Sequence, residues 1–190
     1  YDCTRSNPIS IPNSVTSIGD MAFAGCHNMT SIVIPNSVSN IGKGILGWCD
    51  KLTSVKVEEG NTIYDSRNDC NAIIETATNT VVAGVKNTII PNDVTCIGDS
   101  AFCNCTKLTA IDIPNSVNSF GSGTFSECFS LASVTIGCNV TAIEGHVFNG
   151  CSSLTSISSN FDATSKNRFV ACPVPAPTSK SRVSSSRFAK

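Results

Sequence analysis

The sequence predicts a single solenoid of stacked coils, rich in β-strand, with a short helical or 3₁₀ turn in each coil and a hairpin in one atypical coil. Three observations predict it. The phrase IPNSVTSIGDMAFAGCHNMTS, residues 11–31, returns as near copies opening at Ile34 and Ile113 and as degraded copies at Ile90 and Ile136. The intervals from Ile11 to Ile34, from Ile90 to Ile113 and from Ile113 to Ile136 are all 23 residues. Six of the eleven cysteines (Cys3, Cys26, Cys49, Cys105, Cys128 and Cys151) are one repeat position seen six times. Charged residues make up only 14% of the chain, against about 25% in ordinary globular proteins. Ser, Thr and Asn fill the remaining polar positions, which suits outward-facing strand sites.

A fixed period of roughly 20–29 residues marks the leucine-rich-repeat class of solenoid, in which no coil buries its apolar face alone. The first ten residues form the back half of a coil, with Cys3 matching Cys26 and Ile9 and Ile11 matching Ile32 and Ile34. In the first full coil Val15 and Ile18 point inward from a short extended stretch and Gly19 turns the chain. Ala22 and Phe23 begin a tight helical turn that Cys26 closes. A second extended stretch follows from Met29, with Ile32 and Ile34 inward and Val33 outward. Pro35 and Asn36 make the corner, since Pro fixes φ and Asn tolerates a tight turn.

The second coil repeats these choices with Val38, Ile41, Leu46, Cys49, Leu52, Val55 and Val57. From Val57 to Ile90 is 33 residues, ten more than the period. Residues 62–64 and 72–75 read as extended, 76–79 (TATN) as a four-residue turn, and 80–83 as a returning strand. The insertion is placed at about residues 58–86, with the polar run DSRND at 65–69. Three regular coils follow, and Phe23, Phe102, Phe125 and Phe148 are expected to stack as an aromatic column. The period stops near Ser158, so the solenoid is assigned to residues 1–158. Residues 159–190 read as a capping segment around Phe169 and Val170, ending near Cys172, followed by a basic Pro/Ser-rich tail.

Charge divides the same way. Residues 1–158 hold seven basic and thirteen acidic residues, net −6, and residues 159–190 hold six basic and one acidic, net +5. The tail has no platform of aromatics for stacking on bases, so it reads as a solvated linker and no nucleic-acid partner is expected. No apolar run approaches the roughly 20 residues of a membrane-crossing helix. Tyr1 begins inside a repeat, without an initiator Met or a visible signal peptide, so the chain is expected to be a processed form or a piece of something longer.

The repeated cysteines are expected to form a reduced, buried column. Stacked positions lie about 4.8 Å apart, whereas a disulfide brings Cβ atoms to about 3.8 Å. Any disulfide is expected among the off-register Cys70, Cys96, Cys103, Cys138 and Cys172. A buried column is also the wrong setting for an activated thiolate. His27 and His146 sit in turns and read as solvent-facing. Cys103 and Cys105 lack the partners of a zinc site. Asp65 and Asp69 lack the ligand count and the glycine of a calcium loop. No phosphate-binding glycine loop occurs. No catalytic residue, metal or cofactor is therefore expected. Three sequons, at Asn28, Asn104 and Asn139, are what chance produces in so Asn- and Ser-rich a chain.

The phrases IPNSVTSIGDMAFAGC, IPNSVSNIG and IPNSVNSFGSGTFSEC resemble the BspA-like leucine-rich repeat proteins over roughly residues 3–158. The resemblance implies a right-handed solenoid with a parallel sheet of LxxIxI strands along one side. It also implies a non-enzymatic, adhesin-type role in binding host matrix proteins or other cells. The family offers no shared catalytic motif to carry over. Cell-surface or secreted placement follows from the same resemblance. The alternative is a structural part of a larger intracellular assembly, which the reduced thiols favour. The outward sheet positions Ser10, Val33, Lys56, Ile89, Asp112, Thr135 and Ser158 vary while their inward neighbours do not. Val33, Lys56, Ile89, Asp112 and Thr135 are the candidate protein-binding face.

Overall fold

A computed structural model describes residues 9–143 and 145–159; the capping segment and tail expected at 159–190 lie outside the residues whose side chains it describes. The chain winds as a β-solenoid of about six turns with almost no helix. Each regular coil lays one short strand on a first flank, a turn on a second, and a longer strand on a third. On the first flank β1 (Ser17–Ile18) pairs in parallel with β3 (Asn40–Ile41). On the third, β2 (Ser31–Ile34) pairs with β4 (Ser54–Val57) in a register offset by one period, Val33 opposite Lys56. Alternation fixes the faces: Ile32, Ile34 and Val55 are buried, and Val33 and Lys56 are exposed.

The insertion interrupts this stacking on the strand side. It holds β5 (Tyr64–Asp65), a 3₁₀ turn (Arg67–Asp69), β6 (Ala72–Glu75) and β7 (Thr80–Gly84). β6 pairs antiparallel with both β5 and β7, through a four-residue loop at 76–79 on the β7 side. β7 then supplies the missing rung of the first flank, pairing in parallel with β8 (Cys96–Ile97), which pairs with β10 (Ser119–Phe120). On the third flank β9 (Ala110–Asp112), β11 (Ser133–Ile136) and β12 (Ser156–Ser159) form a separate parallel sheet.

The hairpin is apolar on both faces because it stands as a wall between two cores. Ile74 and Val81 pack with Val94, Phe102 and the later coils, while Ile73 and Ala83 pack with Ile32, Leu52 and the earlier ones. A bulge opposite Ile73 and Ile74 leaves Val82 unpaired in β7, so that Val81 and Ala83 enter opposite cores while β6 alternates regularly. Tyr64 anchors the entry: its ring is buried and its hydroxyl accepts the Ile41 N–H at 3.1 Å. Asn61 ties the same corner to the preceding coil. Its amide donates to the Pro35 and Val38 carbonyls, and its oxygen accepts the Ile63 and Tyr64 N–H groups.

The turn flank has no matching insertion. Gly25 N–H donates to the Gly47 carbonyl one coil on, and Trp48 N–H donates directly to Asn104 O, 56 residues on. Lys43 crosses the same junction to Asp99 at 2.7 Å. The atypical coil therefore widens the strand side and is absent from the turn side.

Three expectations are corrected. The turns are not helical. Successive i→i+3 bonds such as Ala24 N to Met21 O and Cys26 N to Phe23 O are present, but two left-handed residues break each run. Met21, Gly44, Ser100, Gly123 and His146 form one column of positive φ, and Gly25, Trp48, Asn104, Glu127 and Gly150 form the other; a helix of L-residues cannot pass through them. The aromatic column is shorter than expected. Phe102 stacks on Phe125 at 5.1 Å and Phe125 on Phe148 at 5.4 Å, but Phe23 packs into the earlier core because Leu46 follows it. The cysteine column is not wholly reduced: Cys26, a member of the column, is disulfide-bonded, while Cys49, Cys105, Cys128 and Cys151 are free.

Candidate interaction surface

The sheet flank presents its outward side chains in two blocks, not one row. Val33 and Lys56 are paired on β2 and β4. Asp112, Thr135 and Ser158 are paired across β9, β11 and β12. Ile89 belongs to no strand and is 76% exposed. The row predicted from the sequence is therefore broken at Ile89.

The break has a local cause. Residues 86–89 are fastened backward, toward the insertion and the second coil. Lys86 Nζ donates to Asp50 O at 2.6 Å, Asn87 Nδ2 to Thr53 O at 2.9 Å, Thr88 Oγ1 to Asn71 O at 2.6 Å, and Ile89 N to Cys70 O at 3.0 Å. No backbone hydrogen bond joins residues 88–90 to 110–112. A groove of about 310 Å³ opens there, lined by Ile89, Ile90, Asn92, Ala110, Asp112 and their neighbours.

The charges beside the insertion are largely consumed internally. Arg67 grips Asp65 through Nε and Nη2 at 3.0 and 2.9 Å, and reaches Asp93 at 2.6 Å and Asn79 at 2.9 Å through Nη1. The hydrogen bond that Arg67 donates to Asp65, and the one it donates to Asp93, hold the guanidinium above its ordinary range against the effect of burial. Asp69 meets Lys56 at 3.5 Å. Both aspartates considered as calcium ligands thus have cationic partners. Among the described residues no group of three His, Cys, Asp or Glu is placed to hold a metal ion.

The thiol column is poorly disposed to chemistry. Cys49, Cys128 and Cys151 each donate to the carbonyl of the residue 26 positions earlier, Phe23, Phe102 and Phe125, at 3.0–3.1 Å. Burial pushes the Cys49 thiol up to about 11 and the Cys105 thiol up to about 12. The contact between Cys128 and Cys151, and then burial, raise the Cys128 thiol, while the same contact lowers that of Cys151. His27 is exposed, with Asp50 at 4.0 Å, and follows the disulfide-bonded Cys26; His146 is exposed in a left-handed turn. Sequence reasoning missed the groove. The 33-residue interval marks where the stack is interrupted, but which strand edge is left open depends on long-range bonds with no sequence signature.

Parallel strands stacked by coil, an inward aliphatic frame and an outward face of changing chemistry define a leucine-rich-repeat solenoid. The BspA-type leucine-rich repeat region matches in six copies over residues 1–82 and 81–186, and the chain belongs to that family. The second match runs past Ser158, where the plain 23-residue period ends. No curated protein matches the chain in sequence. Among solved structures, a leucine-rich repeat protein from Eubacterium ventriosum is similar at 20% identity and a TM-score of 0.54, over 80% of this chain and 54% of that one. A leucine rich cell surface protein from Faecalibacterium prausnitzii shares 22% identity at a TM-score of 0.49, over 80% and 53% of the two chains. A leucine-rich repeat protein of T. pallidum shares 27% at 0.47, over 76% and 63%. The chain spans about half the length of the first two relatives. Family and relatives are repeat proteins of a non-catalytic kind. Among the described residues no helix is long and apolar enough to cross a membrane.

Proposed function

We propose that the protein is a non-enzymatic recognition module that binds a protein partner through its strand flank, in the manner of a cell-surface adhesin. One observation carries the reading. Inward positions repeat one chemistry (Ile32, Val55, Ile111, Val134), while the outward positions beside them read Val33, Lys56, Asp112 and Thr135. A constant frame beneath a varied face is a scaffold for recognition, and solenoids use such extended surfaces for binding. Placement outside the cell is supported by the Cys26 disulfide, since such bonds persist in oxidising compartments.

A second reading, a structural part of an intracellular assembly, draws on the eight free cysteines among the described residues. Solid-phase binding to a panel of extracellular-matrix proteins tests the first. It expects a saturable binder whose affinity falls at least about tenfold in the double charge reversal Lys56→Glu, Asp112→Lys, and again in Val33→Asp. Unchanged affinity in both variants removes this face from the account.

A further inference from the structure

The insertion parts two strand edges that the regular period would bring into one sheet, those of β4 and β9, and it treats them oppositely. The β4 edge is blunted. Asn71 Oδ1 accepts the Val55 N–H at 3.4 Å, and Ser66 Oγ accepts the Val57 N–H at 3.0 Å. Side chains thus replace the next strand, one of the ways natural sheets protect an edge.

The β9 edge receives no such cover. In a parallel ladder alternate residues turn both backbone groups to the same side. Ile113 N–H goes to Thr135 O and Thr109 O accepts from Ala132 N–H, so the odd-numbered residues serve β11. Ala110 and Asp112 therefore turn their N–H and C=O groups into the groove, where no backbone group of residues 88–90 bonds to them. The groove's volume of about 310 Å³ stands at the lower end of the ~300–1,000 Å³ typical of ligand pockets. Its floor is apolar, with Ile90, Ile111 and Ile113 buried, and exposed Ile89 stands on its rim. Asp112 is exposed, and among the described residues no cation pairs with it.

We propose that this edge is a β-augmentation site that takes an extended peptide of a partner protein as an added parallel strand, with apolar residues alternating about a basic one. The peptide's chemistry follows from the register. Where the ladder is intact, the strand preceding β4 is β2, and Val33 stands opposite Lys56. By the same repeat positions, a strand like β4 laid before β9 places Ser beside Ala110, Val over Ile111, Lys opposite Asp112 and Val over Ile113. Backbone pairing supplies affinity, and the basic residue supplies selection. The inference rests on the protein-binding reading and deepens it by naming the kind of segment bound.

The test uses the 190-residue chain and a blocked hexapeptide Thr-Ser-Val-Lys-Val-Glu as probe. Amide resonances are followed during titration, with hydrogen exchange read at saturation. The expected result is saturable shifts centred on Ala110 and Asp112 and exchange at those two amides slowed by about tenfold. Asp112→Lys weakens the peptide up to about fivefold, and replacing its lysine by glutamate restores binding to that variant. Ala110→Pro removes one edge donor and abolishes the shifts; should that variant fail to fold, the charge swap decides. Absence of shifts at millimolar peptide overturns the proposal. So do shifts that map to other residues, or Ala110 and Asp112 amides already as slow as Ile111 without peptide. Failure of the peptide with Val33-sensitive partner binding retained overturns only this inference. Peptide binding retained while partner binding ignores Val33 and Lys56 overturns only the face.

Discussion

Gly84 is where the inserted hairpin meets the aromatic stack, and replacing it tests how tightly the insertion is keyed into the later coils. A Cβ built on Gly84 falls 2.3 Å from both Cε1 and Cζ of Phe102. That ring has nowhere to retreat: it is 1% exposed and stacked on Phe125, which is stacked on Phe148. Two effects compete in Gly84→Ala. Loss of glycine's freedom in the unfolded chain favours the variant by about 0.4–1 kcal/mol. Overpacking a filled core costs about 1–3 kcal/mol. The clash wins, and the net loss is about 1–2 kcal/mol. In a chain of this size that lowers Tm by about 2–8 °C. The assay is thermal and urea unfolding followed by circular dichroism. Gly19→Ala is the control, since its Cβ meets nothing within 4 Å, and its change stays within about 0.5 kcal/mol. Adding Phe102→Leu, which shortens the ring, makes the double variant less destabilised than the sum of the singles by at least about 0.5 kcal/mol. A Gly84→Ala protein as stable as wild type, or strict additivity with Phe102→Leu, refutes the reasoning.

Two further outcomes follow from the electrostatics and the thiols. Asp99 accepts hydrogen bonds from Lys43 Nζ and from Ser122 N–H, each at 2.7 Å, and these, the lysine first, hold its carboxyl below the ordinary range. A depressed native pKa means its stabilisation is complete above the unfolded value of about 3.9 and is lost as pH falls through the native one. Asp99→Asn should therefore narrow the gap between urea midpoints at pH 7 and pH 2.5. The side chain is 40% exposed, so solvent screening keeps the effect under about 1 kcal/mol; an unchanged gap refutes the linkage. Alkylation with mass-spectrometric readout tests the cysteine column. Native protein at pH 8 should leave Cys49 and Cys105 unmodified, and unfolding should expose them. Cys26 should react only after reduction, and its alkylation in unfolded, unreduced protein contradicts the disulfide.

The 23-residue interval between Ile-Pro pairs was enough, by itself, to specify coils, inward columns and the sheet flank, because a stacked repeat obliges like residues to pile on like. Ile32, Val55, Ile111 and Val134 are buried where alternation from the corner proline places them. The ten surplus residues after Val57 likewise announced an irregular coil, and TATN its hairpin turn. Contacts between unlike parts of the chain were decided only in three dimensions. Trp48 reaches Asn104 past the whole insertion, Leu46 separates Phe23 from its fellow aromatics, and Asn87, Thr88 and Ile89 are drawn back from β9. The left-handed columns through Trp48 and Glu127 are hidden too, since those residues carry no glycine signature. Periodicity reports what each coil shares with the next. The groove beside Ala110 and Asp112 exists where one coil differs from its neighbours, and only long-range packing settles how such a difference is accommodated.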